Sequence, residues 1–249
     1  MLKTVCADDN EAFAQLKLEH DTALAANNAG APTPKVGDLV SLEGGSVGLI
    51  FEYVKNKKSF SRAISENPEN TEEYMRRFAN VVRAFHEREA DVSAFTPFED
   101  KVRAGLAATP LFTQPEKDYL LNELEKMPRK TKCLHGDMQL SNAIMSDQGD
   151  YLIDLSMMSY GHPYYDIGFF YHMSHFCNDE LANSLFHVNH ATLLRCWELY
   201  ARFYFDTNDL QAVEELIKPY ARFGPLVVLP IVPTAETVAA GKEFILSKM

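Results

Sequence analysis

Cysteine is scarce: four residues in 249, at positions 6, 133, 177 and 196, with no CxxC pair. Such spacing excludes a paired-thiolate zinc site and gives a disulfide frame no support. The thiols read as reduced and the compartment as cytoplasmic. Long apolar runs are missing too. None approaches the roughly 18 residues that span a bilayer, and the opening MLKTVCADDN has no apolar signal core. Basic residues are outnumbered, 24 against 35 acidic ones, for a net charge of −11. Phosphate backbones require clustered Lys and Arg, and KNKK and PRKTK are short, so neither nucleic acid nor an anionic membrane is an expected partner. The pairs His172/His175 and His187/His190 have helical spacing but no HExxH or carboxylate-bridged context. They read as packed or surface residues, not as a metallohydrolase centre. No internal repeat or low-complexity linker divides the chain.

What is present fits a soluble globular protein. Hydrophobic residues make up 46% and charged ones 24%, and the length suffices for a sizeable core. Residues 8 to 29 read as a helix, with Asp8 and Glu11 at capping-box spacing and Ala12, Leu16, Glu19 and Ala23 on one face. DLVSL and SVGLIFEYV read as strands joined at Gly44-Gly45. With MLKTV as a first strand, residues 1 to 55 give strand, helix, strand, strand. From residue 70 the texture turns helical. Asn70 and Glu73 stand at capping-box spacing, and Tyr74, Met75, Phe78, Val82 and Phe85 form an apolar stripe that reads as core. Two more helices are expected over 97 to 127, broken near Thr109-Pro110 and Pro115. NAIM and YLIDL read as short strands around the turn SDQGD, and residues 166 to 248 as mostly helical. The expected class is α+β, with a small β-rich lobe over 1–55, a large helical lobe over 56–249, and a cleft between them.

One stretch carries the chemistry. CLHGDMQLSNAIM at 133 to 145, followed by YLIDL at 151 to 155, sets out Asp137, Asn142 and Asp154 in order. Magnesium takes hard oxygen ligands, few of them from protein, with phosphates and water supplying the rest. Asn142 and Asp154, at the ends of adjoining strands, offer one amide oxygen and one carboxylate. Asp137, on a polar loop, is suited to accept the proton of an attacking hydroxyl. Each residue alone has a bland reading as turn, cap or buried carboxylate. Together they suit phosphoryl transfer, which asks for positioning and charge neutralisation.

HGDMQLSN, LID and GHPYYDIG resemble the HGDxxxxN, (L/I)ID and GDPxxDL signatures of the phosphotransferase enzyme family of kinase-like proteins, which includes aminoglycoside phosphotransferases and choline kinases. The resemblance implies a protein-kinase-like two-lobed fold and an ATP- and Mg2+-dependent transfer of the γ-phosphoryl group to a small hydroxylated molecule. It makes Asp137 the base, Asn142 and Asp154 the metal ligands, His135 a buttress of the loop, and Asp166 its anchor. His162 departs from the pattern, standing where an Asp is common. The Phe-His that closes EYMRRFANVVRAFHE is similar to the LH of the corresponding family helix. LIFEYV looks like the family's strand-to-hinge segment, placing adenine on the main chain of Glu52 and Val54 with Phe51 lining the pocket. Lys3 and Glu19 resemble the family's phosphate lysine and its helix glutamate. The resemblance also assigns substrate choice to residues 160 to 240.

The front departs from this resemblance. Kinase-like folds place two strands and a glycine-rich phosphate-covering turn ahead of the lysine, and only Met1 and Leu2 precede Lys3. GGSVG at 44 to 48 reads as a hairpin turn, since a glycine-loop register would leave too little chain before His135. Three expectations follow: a start upstream of Met1; a trimmed lobe covered by another segment or subunit; or a non-catalytic nucleotide-binding or regulatory protein on a degenerate scaffold. Asp137, Asn142 and Asp154 favour the first two. An unpaired edge at MLKTV would invite pairing, so a homodimer, or another covering of that edge, is expected.

Overall fold

The first element is a strand whose partner arrives forty residues later. The computed structural model describes residues 1–6 and 8–248; Ala7 and Met249, which fall in the two expected segments, lie outside the described residues. Strand β1 (Leu2–Cys6) pairs antiparallel with β3 (Ser46–Phe51), which pairs antiparallel with β2 (Val36–Leu42), giving the order β1-β3-β2. Helix α1 (Asn10–Asn28) connects β1 to β2. The strand–helix–strand–strand order is therefore as expected. Gly44 and Gly45 make the β2–β3 turn at φ +81° and +76°, a region that side chains with a Cβ rarely occupy. The cap of α1 falls one residue later than expected: Asp9, not Asp8, accepts from Ala12 N–H at 3.0 Å. β3 also ends at Phe51, so Glu52 to Val54 lie beyond the ladder.

The chain then enters a mainly helical body. Strand β4 (Lys58–Ser59) leads into α2 (Phe60–Glu66) and α3 (Thr71–His86), then α4 (Phe98–Ala108) and α5 (Gln114–Leu124). Strands β5 (Lys132–Leu134), β6 (Ala143–Ser146), β7 (Gly149–Leu152) and β8 (Ser159–Gly161) form two small sheets, β4-β6-β7 and β5-β8. Helices α6 (Tyr164–Phe176), α7 (Asp179–Phe186), α8 (His190–Phe205), α9 (Leu210–Ala221), α10 (Glu236–Ala240) and α11 (Lys242–Leu246) complete it. Among the described residues no helix is long and apolar enough to cross a membrane.

The stripe on α3 is core, as its periodicity implies. Met75, Phe78, Val82 and Phe85 are fully buried. The Phe78 ring lies 5.5, 5.6 and 5.4 Å from those of Phe60, Phe170 and Tyr200. One helix start differs here from the sequence expectation. Asn70 closes a 3-10 turn (Pro68–Asn70) at φ −95°, ψ 8°, and its side chain caps nothing; Thr71 Oγ1 instead donates to Pro68 O at 2.6 Å. The expected break between α4 and α5 runs from Thr109 to Thr113, and Pro115 stands at its far side, in the opening of α5. The proline sits in the first turn, where its missing N–H has no intrahelical partner to lose, behind a Thr113–Glu116 capping box.

Candidate active site

The loop between β5 and β6 is held from beneath by one buried carboxylate. Asp166, in the first turn of α6, accepts from His135 N–H at 2.6 Å and from Gly136 N–H at 2.9 Å. His86 Nε2 lies 3.1 Å from the same carboxylate, and its Nδ1 is 2.9 Å from Tyr204 OH. Gly136 has φ +80°, and a Cβ there would stand 2.2 Å from Met157 O. That contact excludes any larger residue. Lys101 completes the support, donating to Met157 O at 2.9 Å and Met158 O at 3.0 Å. Burial pulls its pKa down to about 8.

His135 is fully buried and both its ring nitrogens are used. Nε2–H donates to Ile153 O at 2.9 Å, and Nδ1 accepts from Asp137 N–H at 3.3 Å. A carbonyl can only accept and an amide N–H only donate, so the tautomer follows from the partners. The ring ties the loop carrying Asp137 to the segment carrying Asp154. It has no nitrogen left for a substrate.

Asn142 lies in a 3-10 turn (Leu140–Asn142) just before β6, and Asp154 lies two residues past β7. Both were expected on strand ends, and both lie just outside the strands. Ile153 N–H donates to Asn142 O at 2.9 Å, continuing the Ala143–Leu152 register and holding the two ends side by side. Asp154 takes φ +60°, ψ +65°, uncommon for a residue with a Cβ. Ser156 Oγ donates to its Oδ1 at 3.0 Å, while Oδ2 has no partner among the described residues. Asn142 Nδ2 donates to Asp137 Oδ2 at 2.8 Å and Asp137 O at 3.0 Å, which leaves Asn142 Oδ1 unpartnered. Two free oxygens on adjacent chain ends are a donor set suited to a hard cation that keeps most of its ligands from phosphate and water.

Asp137 is half-buried. Gln139 Nε2 donates to both carboxylate oxygens, at 3.1 and 3.0 Å. Burial raises the Asp137 pKa above the usual carboxylate range, and the Asp154 charge adds to this against the hydrogen bonds from Asn142 and Gln139.

Two cavities flank these residues. The first, about 380 Å³, is lined by Lys3, Glu19, Phe51, Glu52 and Val54 together with Asp154. Lys3 Nζ contacts Glu19 Oε2 directly. Glu52 N–H is committed to Lys35 O at 2.7 Å. Its carbonyl and the Val54 N–H have no partner among the described residues. The second cavity, about 490 Å³, is lined by Asp137 and Gln139 and by residues of α6, α7 and the segment 225–237. The structure thus places Lys3, Glu19, Phe51, Glu52, Val54 and Asp154 on the first cavity and Asp137 on the second, with Asn142 bonded to Asp137 and His135 beneath. Gln139 and Lys101 were not singled out in the sequence. Gln139 sits inside HGDMQLSN, where its distance of two from Asp137 is a usable signal. Lys101 reaches carbonyls 56 and 57 residues away, for which the sequence carries no signal. His162, at the departure from the pattern, is buried against Tyr164 and Tyr220, and burial lowers its pKa to about 4.

Comparison with known proteins bears on the fold and the family. No curated protein matches the chain by sequence. Among solved structures, an aminoglycoside phosphotransferase APH(4)-Ia in ternary complex with AMP-PNP and hygromycin B is 17% identical. The match covers 91% of this chain and 81% of that one, with a TM-score of 0.59. APH(3'')-Id from Streptomyces rimosus, in complex with ADP and streptomycin, is 21% identical over 91% and 86%, with a TM-score of 0.55. A choline/ethanolamine kinase family protein from Mesorhizobium loti is 15% identical over 92% and 76%, with a TM-score of 0.56. These likenesses establish the kinase-like two-lobed α+β fold. The sequence model of the phosphotransferase enzyme family matches residues 4–203, and the chain belongs to that family.

Proposed function

We propose that the protein transfers the γ-phosphoryl group of ATP to a hydroxyl of a small molecule. One observation carries this reading: Asp154, just past β7, lines one cavity and Asp137, on the β5–β6 loop, lines the other, with Asn142 bonded to Asp137 and tied to Ile153 between them. Nucleotide and acceptor would then meet end to end across the catalytic loop, as in-line transfer requires. In the first cavity the Glu52 carbonyl and Val54 N–H offer an adjacent acceptor and donor, matching the amino group and ring nitrogen on one edge of adenine, with Phe51 beside them. Lys3, held by Glu19, faces the phosphates. Asn142 Oδ1 and Asp154 would hold magnesium, which when bound neutralises the phosphate oxygens. Asp137 accepts the proton as the acceptor oxygen bonds to the γ-phosphorus and the bridging oxygen leaves with ADP.

Removing either carboxylate tests the reading. Asp137→Asn should lower ATP-dependent phosphorylation by roughly 10²- to 10⁴-fold, the usual contribution of a positioned base. Asp154→Asn, which keeps a residue tolerant of positive φ, should abolish the stabilisation that ATP with magnesium confers in a thermal shift. Full activity in the first variant, or an unchanged shift in the second, would overturn these roles.

A further inference from the structure

The cavity beside Asp137 has a chemical character of its own. Its walls include Phe169, Met173, Leu181 and Val228. Its rim carries Leu185 and Val232, 40% and 50% exposed, with Ile231 next to Val232 at 67%. Among the described residues no lysine or arginine lines it, so it has nothing to pair with a carboxylate or phosphate on the acceptor. Its acidic groups are Asp137 at the inner end and Glu236, exposed, at the rim. A polyamino sugar would set several ammonium groups against hydrocarbon, with one rim carboxylate to answer them. Desolvating such charges without partners is strongly unfavourable.

The inner end is polar but small. Asp137 offers its carboxylate, and Gln139 Oε1 is shielded from solvent without a hydrogen-bond partner. Since Gln139 Nε2 is spent on Asp137, that oxygen is the amide's remaining acceptor, and a turn of the Gln139 side chain toward the cavity brings it to a donor on the acceptor's head.

We propose that the acceptor is an amphiphilic alcohol, with a small hydroxyl-bearing head at Asp137 and Gln139 and an uncharged hydrocarbon body lying along Phe169, Met173 and Leu181 toward Leu185 and Val232. This rests on the phosphotransferase reading above and narrows it. The product is a phosphate monoester of that alcohol. Its oxygen forms the new bond to phosphorus, ADP departs with the former bridging oxygen, and the hydroxyl proton ends on Asp137. The head sits where the charge changes; the body gains by leaving water.

A homologous series decides the matter. With ATP and magnesium, kcat/KM is measured for straight-chain primary alcohols from propanol to octanol, beside glycerol, glucose, streptomycin and hygromycin B. Burial of each methylene should raise kcat/KM by about 4-fold until the cavity is filled. Leu185→Lys and Val232→Lys, at exposed positions that do not threaten folding, should flatten the increments for the longest members. ATP turnover that favours the polyols or the aminoglycosides, or that ignores chain length, overturns the substrate class while leaving phosphoryl transfer standing. Failure of every acceptor counts against phosphoryl transfer itself, and ligand-observed NMR on the same alcohols then decides the cavity's preference. Binding that strengthens with chain length and weakens in Leu185→Lys upholds the apolar acceptor class; length-independent binding, or none, refutes it.

Discussion

Asp137, the proposed base, would serve chemistry at the expense of stability. Burial and the charge of Asp154 raise its pKa, so the fold disfavours the ionised form that a base needs. The sign follows directly. A carboxyl with a raised folded-state pKa destabilises the protein above that pKa, and the penalty disappears as pH falls toward the unfolded value. The rate should therefore climb with pH through a limb lying above the ordinary aspartate range, and Asp137→Asn should melt no lower than the parent at neutral pH. A pH–rate profile with its acid limb at the value of an exposed aspartate would contradict this. His135 is the opposite case. Its two hydrogen bonds make it a strut between Asp137 and Ile153, so its contribution is geometric.

Helix α3 is the element on which the site is assembled. One face buries Met75, Phe78, Val82 and Phe85. At the C-terminal end His86 reaches Asp166, and mid-helix Arg77 makes a two-pronged pair with Asp150 on β7, at 3.0 and 2.5 Å. The helix therefore steadies both the anchor of the catalytic loop and the hairpin that carries Asn142 and Asp154. Phe78→Ala removes a ring packed against three others. It should cost about 3–5 kcal/mol of stability, as for other buried Phe truncations. Chemical denaturation measures this, and a loss under about 1 kcal/mol would show that the site collapses around the gap. The same change gives no direct contact to either cavity, so any activity lost with it reports displacement of the loop.

The molecule as a whole carries an acid sensitivity that no single element reveals. Burial lowers His172 and His162 to about 4 from 6.5. His172 is enclosed, with Nε2 on Thr237 O at 2.9 Å and Gly241 pressed against its ring. Below 6.5 the unfolded chain takes up protons that the folded one refuses, so stability falls as pH drops from about 6.5 toward 4. Burial lowers His175 in the same sense, and Asp137 acts in the opposite direction, one group against three. Melting temperature should decline over this window, and His172→Gln should flatten the decline. A melting temperature that holds constant between pH 7 and 4.5 would rule the account out.

Local spacing sufficed for much of this protein. HGDMQLSN with LID names the proposed proton acceptor and two proposed oxygen donors, because the chemistry needs those types close along one loop and one hairpin. The α3 stripe names its own core, because a helix repeats faster than chance arranges five apolar residues. Caps and strand ends were harder to read. Asp9 displaced Asp8, Asn70 capped nothing, and Asn142 and Asp154 fell just outside their strands, since backbone dihedrals at an element's end answer to neighbours distant in the chain. Tertiary structure alone decided what lies against what: Lys101 under the Met157 and Met158 carbonyls, Arg77 against Asp150, and an apolar cavity beside Asp137 made from α6, α7 and residues 225–237. Those meetings depend on how helices pack across a hundred residues, and no short-range pattern encodes them.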